Sequence, residues 1–301
     1  MSSMERAFCI CRWRLDTTDV ELPRLRNADI HLIETGFEAL QEMDQGQVER
    51  LRQQFEESGV LFRSIHAPFG AEDDLTSPEK EKRLEAETRA VSFIKKVSWI
   101  GGEVVILHPG HACKTEEVEA RERRLPKVLP PLLDEAQRRG IQVAVENLLP
   151  NHPFMATNRL ADVVQSMDCE WLGICFDSGH AHVSGNVLSQ FTDCREHVIA
   201  LHLHDNDSTR DLHLQPGYGT IAWEALLQKI EELDSRIPLT VEAAPWQGNH
   251  LYSQMMEELR AVREGRHLHS VQGSDRIGKI ICERCGRLVL RREGKLSCAC
   301  V

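Results

Sequence analysis

Eight short apolar runs alternate with stretches of helical spacing, and this predicts an α/β fold, a (β/α)8 barrel with a small C-terminal extension. Three observations carry the prediction. The runs are short, apolar and bounded by Gly, Pro or charged residues, so they read as strands. Their alternation with helices calls for a parallel sheet. Eight such units fill residues 1–265, close to the length of about 250 that an eight-fold barrel takes. A doubly wound open sheet is the rival, but no G-x-G-x-x-G follows any strand, so dinucleotide binding has no support.

In chain order, the first strand is 6–12 (RAFCICR) and the second 31–35 (HLIET), followed by helical spacing through Phe37, Leu40, Met43, Val48, Leu51 and Phe55. Residues 61–66 (LFRSIH) form the third. A helix then runs over 78–100, with Ser77 as cap and Pro78 at its first position, until Gly101 and Gly102 end it. The fourth strand, 104–108 (VVILH), is apolar throughout, as a strand covered on both faces should be. Helix 132–139 stops at Gly140. Strands 142–146 (QVAVE), 172–177, 198–202 and 239–242 follow, with helical stretches at 160–167, 221–233 and 254–263.

The 301 residues are 41% hydrophobic and 28% charged, an ordinary globular composition. No window has the length and apolarity of a membrane span, so no membrane partner is expected. Residues 1–15 place Arg and Cys inside their apolar run and offer no small-residue cleavage site, which predicts no signal peptide and a cytoplasmic protein. The ten cysteines then read as reduced thiols or metal ligands. The net charge of −11 does not suit a surface that coats DNA. It is uneven: residues 273–301 carry seven basic and three acidic side chains, a net of +4, which leaves about −15 on the rest.

The strand ends carry the chemistry. Strands three to eight close on His66, His108, Glu146, Asp177, His202 and Glu242, and strand two near Glu34. In a barrel these ends converge on one mouth. Any one of them could be an ordinary polar strand cap. Six in succession, all His, Asp or Glu, would gather costly unpaired charge unless divalent cations offset it. The sixth strand runs on as FDSGHAH, where Gly179 lets the chain turn, and Asp211 and His213 follow the seventh. His111, His182 and His204 lie near the same face and read as hydrogen-bonding partners around the site or as solvated residues. Imidazole with carboxylate suits Zn or Mn.

Read together and in order, SIHAPFG, ILHPG, VAVEN, CFDSGHAHVSG, LHLHDN, DLHLQPGYG and VEAA resemble the xylose isomerase-like TIM barrel superfamily. That superfamily holds sugar (phosphate) isomerases and epimerases, inosose dehydratases and apurinic-site nucleases of the endonuclease IV type. The resemblance covers residues 6–263. It implies metal positions at His66, His108, Glu146, Asp177, His180, His202, Asp211, His213 and Glu242. Of these, Glu146, Asp177, His202 and Glu242 are shared by the epimerase-like members, and the other five complete a three-zinc set. One to three divalent ions follow.

Two chemistries fit. In an isomerase or epimerase of a small carbohydrate, Glu146 and Glu242 form the acid/base pair, and Glu34, His180, His204 and Arg210 contact substrate. In an apurinic-site phosphodiesterase, Glu146 bridges ions. The acidic body and the strand-two segment HLIETGFEAL place the first reading ahead. A metal-dependent lyase, a dehydratase or a binding-only barrel are the remaining alternatives.

The tail is a separate object. Cys282 and Cys285, then Cys298 and Cys300, bracket GRLVLRREGKLS, which reads as two short strands with a turn near residues 293–294. Four thiolates on so small a piece predict one structural zinc in a ribbon over 279–301, joined by a linker, 266–278. The basic tail suits an anionic partner, nucleic acid or acidic protein. The oligomeric state is not legible.

Overall fold

A computed structural model describes residues 6–12, 15, 18–243 and 251–265, together with 290–292 and 295–297. Eight parallel strands form one sheet: β1 (Phe8–Arg12), β2 (Leu32–Gly36), β3 (Leu61–His66), β4 (Val104–Leu107), β5 (Gln142–Glu146), β6 (Leu172–Asp177), β7 (Val198–His202) and β8 (Leu239–Val241). Each pairs with its neighbour in sequence, and β8 pairs with β1. Closure between β7 and β8 rests on a parallel bridge, Leu203 to Val241, with Leu203 N donating to Thr240 O at 2.8 Å. This is the (β/α)8 barrel expected.

Alternation along each strand sorts the side chains. The outward positions join the helices in the main core, which includes Ile33, Ile65, Val105, Val143, Ile174 and Val241. A second, smaller cluster of Val104, Ile106, Ala144, Cys175 and Ala200 lies apart from it. Its members sit at every second position, and Ala144, Cys175 and Ala200 each stand two residues before a candidate ligand. The same alternation that buries an apolar outer face therefore aims Glu146, Asp177 and His202 inward.

The helices are α1 (Thr18–Asn27), α2 (Gln45–Glu57), α3 (Lys80–Ile100), α4 (Thr115–Glu122), α5 (Leu125–Val128), α6 (Pro130–Arg139), α7 (Thr157–Met167), α8 (Ser178–Ser184), α9 (Val187–Cys194), α10 (Trp223–Ile230) and α11 (Leu251–Arg263). Gly101 and Gly140 end α3 and α6 in the left-handed conformation, at φ 82° and 66°, as their positions predicted. The start of α3 differs from expectation. Its cap is Glu79, and Ser77 Oγ instead accepts from Glu79 N at 3.3 Å before the helix begins. Helices α1, α4, α5, α8 and α9 were not foreseen, because each is short and its apolar spacing spans barely two turns. The N-terminal end of the barrel is tied by Arg6, whose buried guanidinium donates to the carbonyls of Ile230, Leu233, Asp234 and Ile237 around the end of α10.

No helix among the described residues is long and apolar enough to cross a membrane. In the tail, β9 (Leu290–Arg292) pairs antiparallel with β10 (Lys295–Ser297), flanking residues 293 and 294. Cys282, Cys285, Cys298 and Cys300, and the linker 266–278, lie outside the described residues.

Candidate metal centre

All nine expected ligands lie together at the C-terminal mouth, in three groups. Deepest is Glu146, Asp177, His202 and Glu242, the one four-residue group among the described residues whose ligand atoms lie mutually within 4.8 Å. Both glutamates approach the same nitrogen: Glu146 Oε1 and Glu242 Oε2 each stand 3.1 Å from His202 Nδ1. On one side, Glu146 Oε2 meets His66 Nε2 at 3.3 Å and His108 Nε2 at 3.2 Å. On the other, Asp211 Oδ2 meets His213 Nε2 at 2.9 Å and His180 Nε2 at 3.5 Å. The base of the centre is closed, with His202 and Asp177 fully buried. The His108, Asp211 and His213 side chains are 22%, 18% and 35% exposed, so the mouth opens past them.

The backbone explains how the residues arrive. Asp177 ends β6 and caps α8, its Oδ1 accepting from His180 N at 2.6 Å. Asn147, one residue past β5, clasps the same point: its side chain accepts from Asp177 N at 2.8 Å and donates to Asp177 O at 3.0 Å. Asp205 holds the loop that carries Asp211 and His213. Fully buried, it accepts from Asn206 N, Gly217 N, Ile221 N and Trp223 Nε1 at 2.7–3.1 Å. Asn147 and Asp205 lie inside the motifs VAVEN and LHLHDN, where no role was expected of them. For Asn147 the available signal was a second polar residue directly beyond the strand-end ligand Glu146.

Four rings show what the site is built to hold. His66, His180 and His213 each give Nδ1 to a backbone carbonyl (Ala67, Asn147 and Glu242, at 2.8–2.9 Å), and His202 gives Nε2 to Glu34 Oε1 at 2.9 Å. Those partners only accept, so in the neutral ring of His66, His180 and His213 the named nitrogen carries the hydrogen and the other a lone pair, whereas His202 has carboxylates at both nitrogens. In every case the nitrogen turned to the centre faces a carboxylate oxygen. Acceptor against acceptor repels unless a cation lies between them. Glu146 Oε2, Asp211 Oδ1 and Glu242 Oε2 are in addition buried without a hydrogen-bond partner. The donor set therefore fits divalent ions.

Without ions, protons must take their place. Burial opposes charge on His202, but the Cys175 sulfur, Glu242, Glu34 and Glu146 outweigh it and raise its pKa well above the usual range. Burial likewise opposes the charge of His213, yet Asp211 and Glu242 push it up to about 10. His108 goes the other way, lowered by burial despite Glu146. Burial would raise Glu146, but His202 and His108 hold it well below the ordinary carboxylate value, and Glu242 is lowered chiefly by His202 against the same burial.

The four residues expected to contact substrate do not share one position. His180 and His204 are in the centre. Glu34 stands behind His202, buried, with Ser64 Oγ and, at 3.2 Å, Cys11 Sγ as further donors. The β2 alternation points it into the barrel, below the level of the mouth. Cys11 is thus more than core filling. Arg210 is exposed on the loop after β7, where it helps hold the pKa of Asp207 down. His182, at the end of α8, bonds Thr220 Oγ1 at 2.8 Å, away from the three groups.

A closed parallel barrel with its acids and imidazoles at the C-terminal mouth is the architecture of a (β/α)8 enzyme scaffold. More particularly, residues 24–264 match the family model described as xylose isomerase-like TIM barrel, and the chain belongs to that family. An uncharacterised protein of Methanocaldococcus jannaschii is 29% identical over 178 residues, 56% of this chain and 60% of that protein's own length. A probable endonuclease 4 of Mycoplasma pneumoniae is 24% identical over 240 residues, 73% of this chain and 81% of the relative. Among solved structures, a D-tagatose 3-epimerase-like protein superposes with a TM-score of 0.73 at 22% identity, covering 86% of this chain and 97% of the other, a likeness of fold.

Proposed function

We propose that this chain is a divalent-metal-dependent isomerase or epimerase of a small carbohydrate or sugar phosphate. The observation that carries the reading is the four-residue group at the base of the mouth, in which Glu146 from the end of β5 and Glu242 beyond β8 approach one His202 nitrogen. An ion held by Glu146, Asp177, His202 and Glu242, zinc or manganese by donor type, would polarise a substrate carbonyl. Glu146, held ionised at neutral pH, takes the proton from the carbon next to that carbonyl. Glu242, on the opposite wall, returns a proton to the other face. His180 orients a substrate oxygen. The buried base of the site keeps water from competing for the carbanion-like centre. The epimerase-like structural neighbour is consistent with this chemistry.

A second reading, an apurinic-site phosphodiesterase, is favoured by one specific observation. Glu146 presents its second oxygen to His66 and His108, the position of a carboxylate shared between ions, and the third group lies beyond Asp177. The endonuclease 4 relative points the same way. The net charge of −11 weighs against a DNA substrate, since phosphate contacts rely on Lys and Arg.

The experiment incubates manganese- or zinc-loaded protein with ketoses and ketose phosphates in deuterated water, and in parallel with duplex DNA bearing one abasic site. The first reading expects deuterium at the carbon beside the carbonyl. It expects loss of that exchange by about 10²–10⁴-fold in Glu146→Gln and in Glu242→Gln, each still folded by circular dichroism. Incision of the DNA that is lost in His108→Ala, with no exchange on any sugar, would replace it with the second reading.

For the tail, we propose that Cys282, Cys285, Cys298 and Cys300 hold one structural zinc in a ribbon over 279–301, with 266–278 as linker. The antiparallel β9–β10 pair between the two cysteine pairs supports this. Its basic side chains suit an anionic partner.

A further inference from the structure

We propose that His204 is a tenth ligand of the barrel centre, outside the nine-residue set the family resemblance implies, and that residue 179 is glycine to admit its ring. The proposal rests on the reading that the mouth holds divalent ions.

His204 continues the inward face of β7 two residues past His202, because the Leu203–Val241 bridge keeps the chain extended there. Ser178 pins its backbone, its Oγ accepting from His204 N at 3.1 Å and donating to His204 O at 2.8 Å. The side chain is fully buried. Its Nε2 lies 3.1 Å from Asp177 Oδ2, and an ionised carboxylate only accepts, so Nε2 carries the hydrogen and Nδ1 the lone pair. That lone pair is aimed at Asp211 Oδ1, 3.6 Å away. Both atoms are buried, and neither has a hydrogen-bond partner.

A proton or an ion can bridge two facing acceptors. A proton on Nδ1 would draw the oxygen to about 2.7–3.2 Å. Two ligands of one tetrahedral ion, each about 2.0–2.2 Å from it, stand roughly 3.3–3.6 Å apart. The 3.6 Å gap leaves both atoms unbridged by a proton and open to an ion. His204 belongs to two sets of ligand atoms that lie mutually within 4.8 Å, one with Asp177 and His180 and one with His213 and Glu242. The His213 ring is stacked on His204 with centroids 4.1 Å apart and planes 12° from parallel.

Gly179 is the independent observation. It lies inside α8, with no left-handed backbone to demand a glycine, so it does not serve the turn its motif suggested. Glycine is a poor helix former. A Cβ placed there would stand 1.9 Å from His204 Cε1 and 2.3 Å from His204 Nδ1. The helix gives up a side chain, and the imidazole occupies the space.

The test strips the full-length protein of ions and titrates it with Co²⁺, reading ions per chain and the visible absorption spectrum. Any ion bound by the tail cysteines is common to all variants and cancels in the difference. His204→Gln keeps a donor near the position of Nε2 for Asp177 but offers nothing at Nδ1. It should weaken one ion at least about tenfold and change the spectrum. His204→Asn, which returns an oxygen or nitrogen near the position of Nδ1, should recover part of that affinity. Gly179→Ala should weaken the same ion although alanine favours the helix, so the result survives if His204→Gln fails to fold. Equal ion number, affinity and spectrum in wild type, His204→Gln and Gly179→Ala would overturn the proposal. A wild-type barrel that takes up no Co²⁺ at all would overturn the metal reading itself, and the proposal with it.

Discussion

At the scale of single residues, the centre is a set of imidazoles wedged among carboxylates, with His66, His180 and His213 each giving Nδ1 to a backbone carbonyl. His202 between Glu34 and the two catalytic candidates, Glu146 and Glu242, has a carboxylate at both nitrogens. This arrangement predicts how the metal-free protein responds to pH. The folded pKa values of His66, His180, His202 and His213 are raised, each by neighbouring carboxylates against opposing burial, and that of His213 reaches about 10. A raised folded value stabilises fully below the unfolded value of about 6.5 and is lost as pH climbs through the folded value. The thermal transition of chelator-treated protein should therefore fall between pH 6.5 and 8.5, below the range where thiols titrate. Saturating zinc should remove the slope by replacing those protons. A metal-free transition that is flat, or that rises over this window, would show that protons do not stand in for ions here.

At the scale of elements, strand ends carry six of the nine expected ligands and the connections beyond β6 and β7 carry the other three. The strands set which residues face inward, but Asp211 and His213 reach the centre only because Asp205 gathers four donors and pairs its backbone with Leu214 in both directions. Removing that carboxylate leaves buried N–H groups without acceptors, at about 1–3 kcal/mol each. Asp205→Ala is expected to lose about 4 kcal/mol in urea unfolding, the low end for four donors, and to weaken ion binding at His213 while sparing the Glu146 group. A loss below about 0.5 kcal/mol would mean that water satisfies the loop. The buried ion pair of Arg121 with Asp74 ties α4 to the loop after β3 in a similar way.

At the scale of the whole molecule, charge divides the chain. The last 29 positions, 273–301, carry a net of +4, against about −15 for the remainder. The cysteine pairs of the tail are far in sequence from every barrel ligand. A chain ended at residue 266 is accordingly expected to lose about one zinc per protein and to keep its barrel ions and thermal transition. The check is elemental analysis with calorimetry of both chains. An emptied barrel or a lowered transition in the shorter chain would place the tail against the body and move the proposed boundary.

Strand number, strand order and the set of strand-end acids and imidazoles were legible in the sequence, because a period of two and an apolar outer face are local properties. Strands β3, β5, β6 and β7 were expected at their observed bounds. Short helices such as α8 and α9 were not, since tertiary contacts rather than intrinsic spacing stabilise elements of that length. The role of Gly179 was misread for the same reason. Its motif suggests a turn, and only the packing of a residue 25 positions later explains it. Composition and pattern alone thus determined a parallel barrel with a mouth rich in acids and imidazoles. The tertiary structure decided which imidazole nitrogens face the centre, that Glu34 stands behind His202, and that His204 Nδ1 faces Asp211 Oδ1. Those facts depend on distances between residues far apart in the chain, which sequence spacing does not encode.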